Sequence, residues 1–570
     1  MSQVVNQDHL FSGLDPANPN KRKTRVEIDD GIEAGVNKIE AVTLVWTRKE
    51  LMIAYLCIFL VFFVISLQQQ IQSNVIPYVT SSFVLLPLTG TTSIVSSIVG
   101  GVLRLPTGKF IDLVGRLEGM IMMTIITTIG LSMMAATHNV RTFAAAQVFY
   151  WVGFDGMAYV MDVFMADSSR PKNRALVFAF STAPYIITTF IGPRIAAIYL
   201  STIGWPWAYG TFVIITPIAT IPLLYILHRN ERKARDAGIL CQKKISRSIG
   251  RKVLHYLVEF DAVGLTLICA GSALLLLPFS LESYQTNGWG SGIIIAMLLI
   301  GIASVISFVI WERSFAPVSF IPFELLRNPS IWGACMLAMF LFISFYLWDS
   351  NFLPFLQVVH GLSITNAGYV YNIYSIGSCL WALIFSGMIR LTGRFKNLAL
   401  MHLATQVLGV GLMIFFRRPS SRLSYVIICQ VLIACSSGGL VISEQMSVMM
   451  ACPHRMVAVP LALLALFSSL GGAIGTTIST TIFTHRFTAA LTKALPGNET
   501  LNALLYGDLD VQLSYPFGSP ERDAVIYAYG QSMLYQTIGG TLALAPCLGF
   551  VAVWKNFQLK DLPGVRGNTL

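Results

Sequence analysis

The stretch Arg104-Leu105-Pro106-Thr107-Gly108-Lys109-Phe110-Ile111-Asp112-Leu113-Val114-Gly115-Arg116 is too charged to lie inside a membrane and too short to be a domain, and long apolar runs flank it. A variant recurs as Arg390-Leu391-Thr392-Gly393-Arg394-Phe395-Lys396, again between apolar runs. Both copies carry Arg-Leu, then Thr-Gly, a base and Phe. A short basic loop repeated in two halves of a hydrophobic chain predicts an internally duplicated transporter. The plainer reading is a basic loop that only sets topology.

Composition agrees with the first reading. The chain has 570 residues, of which 55% are hydrophobic and 12% charged, with a mean hydropathy of +0.66. An ordinary soluble domain carries about 25% charged residues. Continuous apolar runs near 20 residues predict a polytopic all-α membrane protein rather than a β-barrel, whose strands alternate in polarity. The net charge of +11 sits largely in loops and tails, as topology requires, so nucleic acid is not expected as a partner and the lipid bilayer is. No cleavable leader is expected, because the first 45 residues are polar. Nine cysteines without a Cys-x-x-Cys predict neither a metal site nor a disulfide framework.

Fourteen spans are predicted, near 50–72, 83–103, 117–137, 143–165, 175–197, 206–227, 260–280, 290–311, 331–350, 364–387, 398–416, 423–447, 457–484 and 531–554. They divide the chain into a cytosolic tail (1–49), a six-helix bundle (50–227), a basic cytosolic loop (228–259), two extra central helices (260–330), a second six-helix bundle (331–555) and a short cytosolic tail (556–570). Residues 485–530 read as a long extracytosolic loop carrying Tyr506, Tyr515, Tyr527 and Tyr529. The sequon Asn498-Glu499-Thr500 falls on that side, so Asn498 is a glycosylation candidate. Arg417, Arg418 and Arg422 also fall there, against the positive-inside rule.

Acids within spans cost about 2.5–3.5 kcal/mol each on insertion scales and mark functional sites. Asp155 lies near mid-depth of span four and is the first candidate for proton coupling; the alternative is a buried acid that only accepts hydrogen bonds. Asp162 is two turns on. Aligning Pro171 with Pro453 places Asp162 on Glu444 of span twelve. Both lie nearer the inner ends and read as gate partners of Arg116 and Arg394, then as the next proton-coupling candidates. Asp167 closes the same acidic run, facing Arg116. Span one ends in Gln68-Gln69-Gln70-Ile71-Gln72-Ser73-Asn74, too polar to face lipid, so Gln68, Gln72 and Asn74 line a cavity. Tyr369, Asn372 and the Trp348-Asp349-Ser350-Asn351 run suit a bulky polar organic ligand, or else an interfacial belt. Arg194, after Gly192-Pro193, either contacts substrate or snorkels to the interface. No Gly-x-x-x-x-Gly-Lys-Ser/Thr is present, so an ion or substrate gradient must drive transport.

The spacing of Gly108, Asp112, Gly115 and Arg116 resembles the cytoplasmic signature of the major facilitator superfamily, with Arg390, Gly393 and Arg394 as its second-half counterpart. Gly35-Val36-Asn37-Lys38-Ile39-Glu40-Ala41, Lys172-Asn173-Arg174-Ala175-Leu176, Pro184-Tyr185-Ile186-Ile187-Thr188-Thr189-Phe190, Ala367-Gly368-Tyr369 and Ile389-Arg390-Leu391-Thr392-Gly393-Arg394-Phe395-Lys396 resemble the fungal siderophore–iron transporters, a fourteen-span branch of that superfamily. The resemblance covers about residues 35–555. A monomer in the plasma membrane is expected, with endosomal or vacuolar membranes as the alternative. The resemblance implies proton-coupled import of an intact ferric hydroxamate siderophore, iron carried only as the chelate and no resident cofactor. It also implies a role for the segment holding Tyr527 and Tyr529. The competing readings are a proton antiporter exporting drugs, toxins or glutathione-like peptides, and a non-transporting nutrient sensor. The antiporter is disfavoured because Arg194-Ile195-Ala196-Ala197 follows Gly192-Pro193 where glycines would stand. None of the readings is enzymatic.

Overall fold

The first long helix, α1 (Arg48–Ser81), begins where Thr47 and Glu50 cap each other: Thr47 N donates to Glu50 Oε2 at 3.1 Å and Glu50 N to Thr47 Oγ1 at 3.3 Å. Its 34 residues span about 50 Å, against a hydrocarbon layer of about 30 Å. Its last turns therefore project beyond the membrane, which becomes important for closure. The computed structural model describes residues 42, 45–82, 98–103, 106–108, 110–111, 114–169, 171–237, 258, 261–282, 285, 287–317, 323–452 and 458–558. Most of the second expected span, Asp112, the terminal tails, most of the 228–259 loop and Pro453 lie outside them.

After α1 come α2 (Arg116–Ala135), α3 (Val140–Ser168), α4 (Pro171–Thr182), α5 (Pro184–Ile198) and α6 (Pro206–Asp236), which pack on one another as a first bundle. A pair, α7 (Ala262–Leu276) and α8 (Gly292–Ser314), follows. The second bundle holds α9 (Pro329–Asp349), α10 (Phe352–His360), α11 (Ile364–Tyr371), α12 (Ile373–Thr392), α13 (Lys396–Phe416), α14 (Leu423–Met450), α15 (Ala458–Ala494), α16 (Glu499–Gly507), α17 (Leu509–Ser514), α18 (Pro520–Ala543) and α19 (Cys547–Ala552). Among the described residues, 11 helical segments are long and apolar enough to cross a membrane. With α3 and α7 they match every expected span except the second, and no described residue lies in a strand. The molecule is an all-α, multi-pass membrane protein. The end of the bundles carrying Gly115 and Arg116 is called inner below, the opposite end outer.

Small residues set the helix contacts, as expected where hydrocarbon offers no hydrophobic drive between helices. A Cβ on Gly130 would fall 2.3 Å from Tyr150 N, and one on Gly153 would fall 2.4 Å from Thr127 N, so α2 and α3 touch backbone to backbone. In the second bundle, Gly438 of α14 lies against the Ser378 carbonyl of α12, and Gly471 of α15 against the Met339 carbonyl of α9, each leaving 2.2 Å for a Cβ. The outward faces are apolar: Ile214, Ile218, Ile221 and Tyr225 stand exposed on α6, the pattern of a lipid-facing surface. The pair α7–α8 packs mainly on itself, through Gly271 and Gly301. It meets α15 where Thr481 Oγ1 donates to the Phe279 carbonyl at 3.2 Å and His485 Nε2 lies 2.8 Å from Glu282 Oε1.

The region expected to be a long loop, 485–530, is instead helical. The second-bundle helix α15 runs on to Ala494, α16 and α17 follow, and α18 begins at Pro520 rather than near 531. The glycines and prolines there are punctuation between short helices. Gly497 and Gly518 take φ +85°, and Asn498, Asp508 and Ser519 cap α16, α17 and α18 through Leu501 N, Asp510 N and Arg522 N. With α10 this segment forms a second apolar core at the outer end, around Tyr78, Phe352, Phe355, Phe483, Phe487 and Tyr529.

Two outcomes follow from this packing. Gly438→Val, forced against the Ser378 carbonyl, lowers the thermal midpoint of the purified protein by about 1–3 kcal/mol of stability; an unchanged midpoint rejects the close contact. Asn498 is exposed, so glycosidase treatment shifts the mass of the native protein and not of Asn498→Gln. Labelling of residues 485–530 from the cytosol alone would overturn the orientation.

Candidate functional site

Polar side chains gather inside the bundles where apolar packing was available. On α1, Gln68 is 1% exposed, Gln72 and Asn74 are buried, and both amide atoms of Gln68 and of Gln72 have no hydrogen-bond partner. Leaving buried amides unpaired costs roughly 1–3 kcal/mol each, so they are tolerated where they line a chamber that a polar ligand or water enters. The Tyr185 hydroxyl of α5 donates to Gln69 Oε1, and Thr188 Oγ1 to Ser66 Oγ at 3.2 Å. Asp155 of α3 stands beside Gly100, whose Cβ would lie 3.0 Å from Asp155 Oδ2. Its charge reaches the buried phenols of Tyr150 and Tyr185. Asp155, Tyr150, Tyr185 and Gln69 form one constellation in the first bundle. Asp162 is part-buried on the same helix, seven residues towards the inner end.

In the second bundle the counterpart surface is aromatic. Tyr374 packs on Trp348 and Phe345, with ring centroids at 5.6 and 5.0 Å. Asn372 sits at the break between α11 and α12, 1% exposed, with both amide atoms unpartnered. Tyr369 lies against Phe190 of the first bundle at 6.3 Å. The Tyr371 hydroxyl donates to Asp349 Oδ2 at 2.9 Å.

The bundles touch at both ends of this polar zone. At the outer end the Tyr78 hydroxyl donates to Gln357 Oε1 at 2.6 Å, Leu509 N donates to Ser81 Oγ at 3.2 Å, and Gly368 fits against Asn74 and Pro193. Arg522 ties the outer helices together through the carbonyls of Val358, Gln512 and Gln357. At the inner end Ser386 Oγ donates to the Ala175 carbonyl at 3.1 Å. The two bundles are thus in contact at both ends of this polar zone among the described residues.

The inner loop is held by charge. Arg116 donates from Nη2 and Nε to Asp167 Oδ2 at 2.9 and 3.2 Å, and from Nη1 to the Ile111 carbonyl at 3.1 Å. Gly115 takes φ 131° and Gly108 fits against the Tyr159 hydroxyl. Arg116 thus meets Asp167 at the end of α3, five residues beyond Asp162.

Three groups of expected site residues lie apart from one another. Arg394 does not pair with Glu444: Gly393, at φ 69°, ends α12 as a left-handed cap, Arg390 and Arg394 are exposed, and Glu444 is 2% exposed inside α14 with its Oε2 unpartnered. Lys396 takes the structural role in this copy, donating to the carbonyls of Ala552 and Trp554 at 2.7 and 2.6 Å. Arg194 is exposed, on the same helix stripe as Ile187, Phe190, Ile191 and Ile198, at spacings of three and four residues. Tyr527 and Tyr529 diverge, two residues being about 200° around a helix. Tyr529 is buried in the outer core with its hydroxyl donating to Gln512 Oε1 at 3.1 Å. Tyr527, 43% exposed, lines a surface cleft of about 500 Å³ with Arg418, Asp523 and Gln531. Sequence reasoning missed Tyr185, Gln357 and Arg522 as contact residues; nothing local distinguishes them from core or interface residues. Among the described residues no group of three or more His, Cys, Asp or Glu gathers as a metal site.

The Major Facilitator Superfamily profile matches residues 58–476. "MFS siderochrome iron transporter 1" of Ajellomyces capsulatus is 48% identical over 96% of this chain and 94% of its own length. "Siderochrome iron transporter 2" of Aspergillus fumigatus is 42% identical over 92% of this chain and 87% of its own. "Siderophore iron transporter mirB" of Emericella nidulans is 36% identical over 94% and 89%. Among solved structures, an inward-facing, occupied bacterial homologue of the lysosomal transporter Spinster aligns with TM-score 0.52 at 14% identity, over 89% of this chain and 97% of that one. An auto-inhibited POT-family peptide transporter aligns with TM-score 0.51 at 14% identity, over 90% and 98%; both likenesses bear on fold alone. Helical duplication, the Arg116 loop and these relatives agree: the chain belongs to the major facilitator superfamily, among the fungal siderochrome iron transporters.

Proposed function

We propose that this protein imports an intact ferric siderophore of the hydroxamate type, driven by protons, as a monomer in the plasma membrane. The observation that carries the reading is the set of buried, unpaired amides of Gln68, Gln72 and Asn372 between inter-bundle contacts at the outer and inner ends, in a chain whose relatives bear siderochrome-transporter names. A hydroxamate chelate presents carbonyl and N–O oxygens around a screened metal ion. Gln68, Gln72, Asn372 and Tyr369 supply neutral donors, acceptors and an aromatic face for such a ligand. Iron in this scheme is substrate, moving inside its chelate.

Asp155 is the proposed proton carrier. It stands beside Gly100 in the bundle whose Tyr185 hydroxyl donates to Gln69 on the amide face of α1. Loading and releasing a proton there would change the hydrogen-bonding state of the chamber wall, the differential contact that coupling requires. Asp162 and Glu444 are the alternative carriers. The Arg116–Asp167 pair, with Gly108, Gly115 and Asp112 in the same loop, is the proposed inner gate: it is formed while the inner end is closed, and its loss biases the cycle.

Uptake of radiolabelled iron bound to a panel of hydroxamates, in a strain lacking its own siderophore transporters, tests the substrate; absence of uptake with every chelate sinks the reading. Asp155→Asn keeps shape and hydrogen bonding but cannot titrate, so pH-driven accumulation falls about tenfold or more while binding survives. Retained wild-type dependence on external pH rules Asp155 out. Arg116→Ala leaves expression near normal and cuts the transport rate about tenfold, the equivalent of about 1.4 kcal/mol; unchanged rates with a normal yield contradict the gate.

A further inference from the structure

Arg417 is one of three arginines that the positive-inside rule would not have placed at the outer end, and its surroundings are unusual. It is 2% exposed. Its Nη1 donates to the Trp348 carbonyl, and its guanidinium lies 4.3 Å over the Phe352 ring and 5.4 Å from the Phe355 centroid. Its Nε and Nη2 are buried and have no acceptor. A buried guanidinium with idle donors is a costly arrangement, tolerated where an acceptor arrives in another state.

That acceptor is already adjacent in sequence. Asp349 follows Trp348, whose carbonyl accepts from Arg417, and is 9% exposed, yet no ion pair joins Asp349 to Arg417 in this structure. Its Oδ2 accepts instead from Tyr371 at 2.9 Å. Tyr371 is the last residue of α11, an eight-residue helix broken from α12 at Asn372. The other bundle holds α11 in place. A Cβ on Gly368 would fall 2.6 Å from both Asn74 Oδ1 and Pro193 Cβ, and Tyr369 rests on Phe190. The hydroxyl that occupies Asp349 is therefore positioned by a contact that exists only while the outer ends of the bundles meet.

We propose that Asp349 changes partner as the outer mouth opens, from the Tyr371 hydroxyl to the two free donors of Arg417. Opening removes Asn74, Pro193 and Phe190 from α11, Tyr371 withdraws, and a side-chain rotation of Asp349 forms the ion pair. The carboxylate is satisfied in both states, and the guanidinium only in the open one. Asp349 is thus a positioning residue for the transport cycle: Tyr371 favours the closed mouth and Arg417 the open one. The inference rests on the chain being an alternating-access transporter and is independent of which ligand it carries.

The test uses full-length protein in lipid nanodiscs with fluorescent non-canonical residues at Ile203 and Leu504, exposed outer positions of the two bundles. Their separation reports mouth opening without substrate, so its result stands apart from the chelate-uptake result. Tyr371→Phe raises the open-to-closed ratio roughly tenfold, the scale of one charge-assisted hydrogen bond. Adding Asp349→Asn or Arg417→Gln to Tyr371→Phe returns the ratio towards the closed state, a coupling that independent structural roles do not produce. Shifts of the same sign in all variants, or an unaltered ratio in Tyr371→Phe, overturn the proposal. Should Arg417→Gln fail to fold, the Tyr371→Phe and Asp349→Asn pair decides alone.

Discussion

Inside hydrocarbon every polar group must find a partner within the protein or face a chamber, and this constraint shapes the molecule at every scale. Backbone groups are satisfied by helix formation. Hydroxyls on the long helices donate back to carbonyls one turn earlier, as Thr124, Thr127 and Thr128 do on α2. What is left over is instructive. The amides of Gln68, Gln72 and Asn372 and one carboxylate oxygen of Glu444 have no such outlet, and they lie in the helices that build the interior of the two bundles. The same constraint turns the outside apolar, so that the exposed faces of α6 and α8 carry mainly isoleucines, with Tyr225 on α6 and Leu299 on α8 among them.

The duplicated architecture is not used symmetrically. In the first bundle the signature loop ends in Gly115 and starts α2 with Arg116 bound to Asp167. In the second, Gly393, the counterpart of Gly108, ends a helix, and Lys396 ties the loop to the carbonyls of Ala552 and Trp554. One copy is an ion pair that a conformational change can break; the other is a helix-capping contact within one bundle. The outer end is asymmetric too. The second bundle contributes most of the additional apolar core around α10, α16 and α17, and among the described residues the first bundle reaches it through the end of α1 and Leu200.

Much of the architecture was legible in the chain because membrane helices announce themselves by length and composition. The apolar runs located the spans, and the repeated Arg-Leu…Thr-Gly motif declared the duplication. The amide cluster at 68–74 pointed to an interior surface, because a helix that long and that polar at one end has nowhere else to put glutamines. Local sequence failed where the answer depended on what lies opposite. Pro520, Gly497 and Gly518 read as loop residues, since the signals that end one helix and start the next are the same as those of a loop, and only the buried partners of Tyr529 and Arg522 turn the segment into a folded cap. Arg194 and Arg417 are both arginines at outer helix ends. Helix phase and the neighbouring helices leave one exposed and bury the other beneath Phe352. Composition and period determined which residues cross the membrane; which polar side chains meet, and which wait unpaired, was decided by contacts between residues hundreds of positions apart, such as Tyr78 with Gln357 and Ser81 with Leu509.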